Sequence, residues 1–153
     1  MPRRLAKILH ALLDRTTGLA TGLVDGHGLL IESVQNDGSF PDEDTAAHLV
    51  GIHRYSIETL RRQVGGGWLQ QVIVGTSEAC YLQSIGEGYL LYLRVSRDRS
   101  PEQVGAALHE AKEHLEPLLA GYALLASAGQ SLDESHQFTG ADSSRKSDQS
   151  LLK

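Results

Sequence analysis

The sequence predicts an α+β domain in which a five-stranded antiparallel sheet is sandwiched by helices, in the order α-β-β-α-β-β-β-α. Three observations predict it. Every direct strand-to-strand link within a block is short, which implies antiparallel hairpins. One long amphipathic stretch separates a two-strand block from a three-strand block. The final strand-like run, 89–95, is almost wholly apolar, as a central strand covered on both faces should be.

Leu5, Ile8, Leu9, Leu12 and Leu13 recur at helical spacing and give one apolar face to a helix over 3–14. Arg3, Arg4 and Lys7 form much of its other face, which reads as solvated or as turned toward an acidic surface. Two short apolar runs, 19–25 and 29–34, flank Asp25-Gly26-His27-Gly28. Aspartate and glycine supply the backbone freedom of a tight turn, so this is a β-hairpin. A loop over 35–41 follows.

The next helix is expected over 42–64. Asp42, Glu43 and Asp44 load its first turn, where the helix dipole favours negative charge, and Arg61 and Arg62 occupy its last. Ala46, Leu49, Val50, His53, Ile57, Leu60 and Val64 form its core stripe, and Gly65 can cap it. Ile52 falls off that stripe, and Ala47 and Gly51 are small. Apolar character on more than one side means either deep burial or contact with both the chain's own sheet and a partner.

Gly65-Gly66-Gly67 breaks the helix, and strands are expected over 68–75, 78–84 and 89–96. In the first of these, Gln71 and Ile73 share one face and Val72 and Val74 the other. Ser100 before Pro101, with Gln103 three residues on, opens a further helix. Its apolar positions are Val104, Ala107, Leu108, Ala111, Leu115 and Leu118. Pro117 is expected to kink or restart it, with 117–126 a short extra helix. From Ser127 the chain turns serine-rich with scattered apolar residues, so a domain over 1–126 and a disordered tail over 127–153 are expected.

Composition narrows the function classes. The 153 residues are 41% hydrophobic and 22% charged, an ordinary balance for one domain. A formal net charge of -5 disfavours a general nucleic-acid-binding role. Cys80 is the one cysteine, which excludes an intrachain disulfide and a cysteine-rich zinc site. No apolar run has the length of a membrane span, and charges at Lys7 and Asp14 interrupt the N-terminal stretch, unlike a signal peptide. A cytoplasmic protein without membrane insertion is the expectation.

The chemistry scan is sparse. His48/His53 and His109/His114 are spaced by five, which leaves the rings roughly 140° apart on a helix and no expected metal site. Neither a Walker-type phosphate loop nor a G-x-S-x-G elbow occurs. Cys80 lies within a strand and reads as a small hydrophobe, Asp25 as a turn former and Glu32 as an exposed strand residue. Arg94, Arg97 and Arg99 cluster at a strand end, which is solvated or meets an anionic partner. No catalytic, cofactor-binding or metal-ligating residue is assigned, and a non-enzymatic role without a cofactor is expected.

The segment 18–33, GLATGLVDGHGLLIES, resembles the opening hairpin of Roadblock (dynein-light-chain-like) domains, with Gly18 and Gly22 four apart, then Val24-Asp25 and Gly28-Leu29. The long helix, the three strands and the capped helix follow in the family's order, so the likeness covers about residues 3–116. It implies a Roadblock/longin/profilin-like sandwich, with the long helix on one sheet face and the two terminal helices on the other. It implies a homodimer formed through the long helix and the edge strand after it, here Ala47, Val50, Gly51, Arg54, Tyr55 and Glu58 with Gln70 and Val72. It also implies a regulator or scaffold of a Ras-like small GTPase that does not itself hydrolyse nucleotide. The alternatives are a small-molecule sensor of the PAS or GAF type, which usually places several short helices around a pocket at this point in the order, and an enzyme with an unrecognised site.

Overall fold

Helix α1, Pro2–Thr16, buries Leu5, Leu9, Leu12 and Leu13, the residues whose spacing predicts it. Thr16 closes it by donating its hydroxyl to the Leu12 carbonyl at 2.8 Å, and the Gly18 amide reaches back to the Leu13 carbonyl. The computed structural model describes residues 2–36, 38, 43–67 and 69–122. Asp42, Trp68, part of the loop before the long helix and the expected tail over 127–153 lie outside the described residues.

Strands β1 (Ala20–Asp25) and β2 (Leu30–Gln35) form the first hairpin. Asp25 builds its turn, as its side-chain oxygen accepts the amides of His27 at 2.8 Å and Leu29 at 3.0 Å. Gly28 carries a φ of +87°, and a Cβ there would stand 3.0 Å from the Ala47 Cα. The glycine therefore serves both the turn and the close approach of the hairpin to the long helix.

That helix, α2 (Glu43–Gln63), runs without interruption between β2 and β3, unlike the several short helices of a PAS- or GAF-type domain. Strands β3 (Gln70–Val74), β4 (Glu78–Ile85) and β5 (Tyr89–Ser96) complete the sheet. Its order is β2-β1-β5-β4-β3 and every pairing is antiparallel. The apolar strand β5 is central and largely buried, as its composition predicts. Residues 101–122 form α3, helical throughout. Helical backbone is found on both sides of Pro117, so the expected restart is not seen: one missing amide removes a single bond from a ladder that neighbouring residues continue.

The register sorts the side chains onto two faces. Val24, Leu90, Tyr92 and Leu82 share one face and pack with Ala46 and Val50 of α2. Leu23, Leu91 and Leu93 take the other, where Leu13 of α1 closes on Leu93 above Gly18. There α1 and α3 lie side by side, joined by an Arg15–Glu110 ion pair, with Val104, Leu108 and Leu115 buried. The chain divides into two compact units, Met1–Glu116 and Pro117–Lys153; the described part of the second is the helical stretch 117–122.

The stripe of α2 is buried only in its first half. Ala46, Val50 and His53 are buried, but Leu60 and Val64 are exposed, contrary to expectation. Along α2, Ala47 meets the β1–β2 turn, Val50 packs in one cluster with Leu90 of β5, His53 bonds Ser84 of β4 and Ser56 accepts from Gln71 of β3. The helix thus crosses the sheet from β1 to β3. Its 21 residues span about 31 Å, whereas four strand spacings cover only about 19 Å. Beyond Ile57 every residue of α2 is exposed.

Candidate functional site

Two surface features adjoin α2, one on each flank. The first is a set of exposed apolar side chains where the helix meets the edge of the sheet. Strand β3 pairs only with β4, so its outer edge presents unpaired backbone groups among the described residues. Leu69, Val72, Ile73 and Val74 are all exposed along it. On α2, Ile52 is 45% exposed and Tyr55 76%, with Leu60 also at the surface. Ser56 joins this flank to the edge strand by accepting a bond from Gln71 at 3.3 Å. Tyr55, Thr59 and Leu60 line a shallow depression with Gln70 and Gln71.

The eight residues that the resemblance nominates for an interface are not all on this surface. Val50 is buried in the chain's own core against the sheet. Ala47, Gly51, Arg54, Tyr55 and Glu58 are exposed. Ala47 and Arg54 lie on the opposite flank of α2, over the β1–β2 turn. Tyr55 alone of these lines the depression at the edge strand. Gln70 and Val72 are exposed on β3 and share the sheet face away from α2, since Val72 stands opposite Tyr81 while Ile73 stands opposite Cys80. Leu60, Leu69, Ile73 and Val74 are the exposed residues that sequence reasoning missed. Ile52, off the helical stripe, was the signal that pointed to this flank.

The second feature is a cleft of about 380 Å³ between α2 and two hairpin turns. Val50, Ile57 and Leu90 give it an apolar floor, with Ser84 and His53 beside them. Arg54 and Arg61, two turns of helix apart, stand on its helical wall, and Gly26, Gly86 and Gly88 form the turn side. The Arg54 guanidinium lies over Gly26, 2.9 Å from where a Cβ would be.

His53 links the two features. It is 6% exposed, and its Nε2 meets the Ser84 hydroxyl at 2.8 Å. Burial lowers its pKa below the ordinary histidine value, partly offset by a side-chain hydrogen bond with Gln71. The His53 Nδ1 and the Gln71 Oε1 have no other partner. Gln71 thereby connects the edge strand to both His53 and Ser56.

The remaining candidate chemistry is structural. Cys80 is half-buried, and burial with the nearby Glu78 carboxylate pushes its thiol up to about 11, although Arg94 pulls the other way. Arg94 is held by both oxygens of Glu78 at 3.0 Å, which takes it out of the expected arginine cluster. The His48 Nδ1 donates to the Asp44 carbonyl on the exposed side of α2, far around the helix from buried His53. Among the described residues no group of three or more metal-ligating side chains is assembled, and no helix is long and apolar enough to cross a membrane.

No protein-family model matches the chain, and no curated protein sequence matches it. Solved structures do. MglB of Myxococcus xanthus is 18% identical, with a TM-score of 0.70 over 78% of this chain and 90% of its own. An MglB solved in a tetrameric arrangement is 18% identical, with a TM-score of 0.69 over 76% of this chain and 88% of its own. A Roadblock/LC7 domain from Streptomyces avermitilis is 20% identical, with a TM-score of 0.67 over 74% of this chain and 96% of its own. At such identities the likeness is one of fold, and the chain folds as a Roadblock-like domain.

Proposed function

We propose that this chain is a non-enzymatic, homodimeric regulator or scaffold of a Ras-like small GTPase, working in the cytoplasm. The observation that carries the self-association is the open edge of β3 beside exposed Ile52 and Tyr55. Exposed apolar edge strands are protected in stable monomers, and a second copy can pair the edge and cover the apolar flank of α2 at once. The tetrameric arrangement of one MglB of the same fold supports self-association. The GTPase reading is supported by the likeness of the opening hairpin and the element order to Roadblock domains, together with the fold.

Sedimentation equilibrium on the full chain tests the dimer. The expected result is a dimer at micromolar concentration. A monomer at high micromolar concentration contradicts it.

A further inference from the structure

We propose that the cleft between α2 and the two hairpin turns binds a small anionic molecule, one with a phosphate or carboxylate head and an apolar body. The cleft's volume of about 380 Å³ falls within the usual range for small-molecule sites, roughly 300–1,000 Å³. Its lining divides by chemistry. Val50, Ile57 and Leu90 offer an apolar floor, and Ser84 a hydroxyl beside it. Arg54 and Arg61 stand on the helical wall, and no ion pair engages either of them among the described residues.

The two carboxylates at the cleft, Asp25 and Glu58, have hydrogen-bonding partners of their own. An oxygen of Asp25 is occupied by the His27 and Leu29 amides of its own turn. Glu58 is held by Arg62 at 2.7 Å, one turn along α2. Arg54 and Arg61 therefore remain for an incoming anion, and a guanidinium grips a phosphate or carboxylate through two parallel bonds. Gly26 lets the Arg54 head lie against the turn, which fixes one end of the grip. A bare ion would use the arginines and leave the apolar floor wet; a ligand with an apolar body covers both. The cleft opens on the other flank of α2 from the edge-strand depression, with Ile57 lining both, and its occupancy does not depend on the GTPase reading.

Amide chemical shifts of the full chain, followed by NMR during titration with phenyl phosphate and with benzoate, test the proposal. Saturable shifts at Gly26, Ser84 and Gly88 are expected with at least one of the two. Arg54→Gln and Arg61→Gln should each weaken that binding about tenfold, since a hydrogen bond to a charged group is worth about that much. Arg97→Gln, at the exposed end of β5, should leave it unchanged. No saturable shift at the cleft with either probe overturns the proposal. So does inorganic phosphate binding as tightly as phenyl phosphate, which marks an adventitious ion only. Equal weakening by Arg97→Gln, the sign of diffuse charge attraction, overturns it as well.

Discussion

Single residues decide how closely the layers approach one another. Gly22 sits on β1 under the Tyr92 ring, where a Cβ would come within 2.5 Å of ring atoms. Gly22→Ala must displace a buried tyrosine in the cluster beneath α2, and the expected cost is about 1–3 kcal/mol by chemical denaturation. An unchanged midpoint would mean the ring has space that the packing does not show. His53 sets the response to pH. Its folded pKa lies below its unfolded one, so below about 6.5 the unfolded state holds more protons and stability falls as pH falls. The chain should lose stability as pH falls through the ordinary histidine value of about 6.5, with His53 contributing at most about 1.4 kcal/mol per pH unit. His53→Gln should lose less over the same range. An identical pH profile for the two proteins contradicts the role assigned to His53.

At the scale of elements, α2 and β3 carry the argument. The substitution Val72→Lys puts a charge on the open edge without touching the buried core. It should weaken self-association by about 1–2 kcal/mol, roughly ten- to thirtyfold in sedimentation, and change the unfolding free energy by no more than about 0.5 kcal/mol. A wild-type dimer constant in this variant would move the interface elsewhere. The elements themselves were legible because each is locally consistent. The α1 stripe, the Asp25 turn, the apolar run of β5 and the Ser100-Pro101 start of α3 each carry their own signal. What was not legible depends on the width of the sheet. Leu60 and Val64 keep helical spacing with Ala46 and Val50, yet they emerge because α2 outruns the strands. Val50 looked available from the resemblance, but the direction of α2 across the sheet turns it into the core. Ile73 and Val72 were correctly placed on opposite faces by their period, but which face α2 covers is set by long-range pairing with β4.

Residues 2–116 fold as a Roadblock-like sandwich whose surfaces differ in what covers them. One face is closed by α1 and α3, the other by the first half of α2, and the outer edge of β3 pairs with no strand among the described residues. The order of elements, and with it the fold class, could be read from the sequence. The cleft could not: Arg54, Arg61 and Ser84 come from α2 and β4, and only the crossing of helix over sheet brings them together. The proposed role as regulator or scaffold of a Ras-like small GTPase requires that the chain bind one. The most direct measurement is capture by the immobilised chain from its own cell lysate, once with a non-hydrolysable GTP analogue and once with GDP. A Ras-like GTPase retained with at least one of the two nucleotides is the expected result, and retention mainly with one marks a regulator that distinguishes the states; no GTPase retained with either contradicts the proposed role.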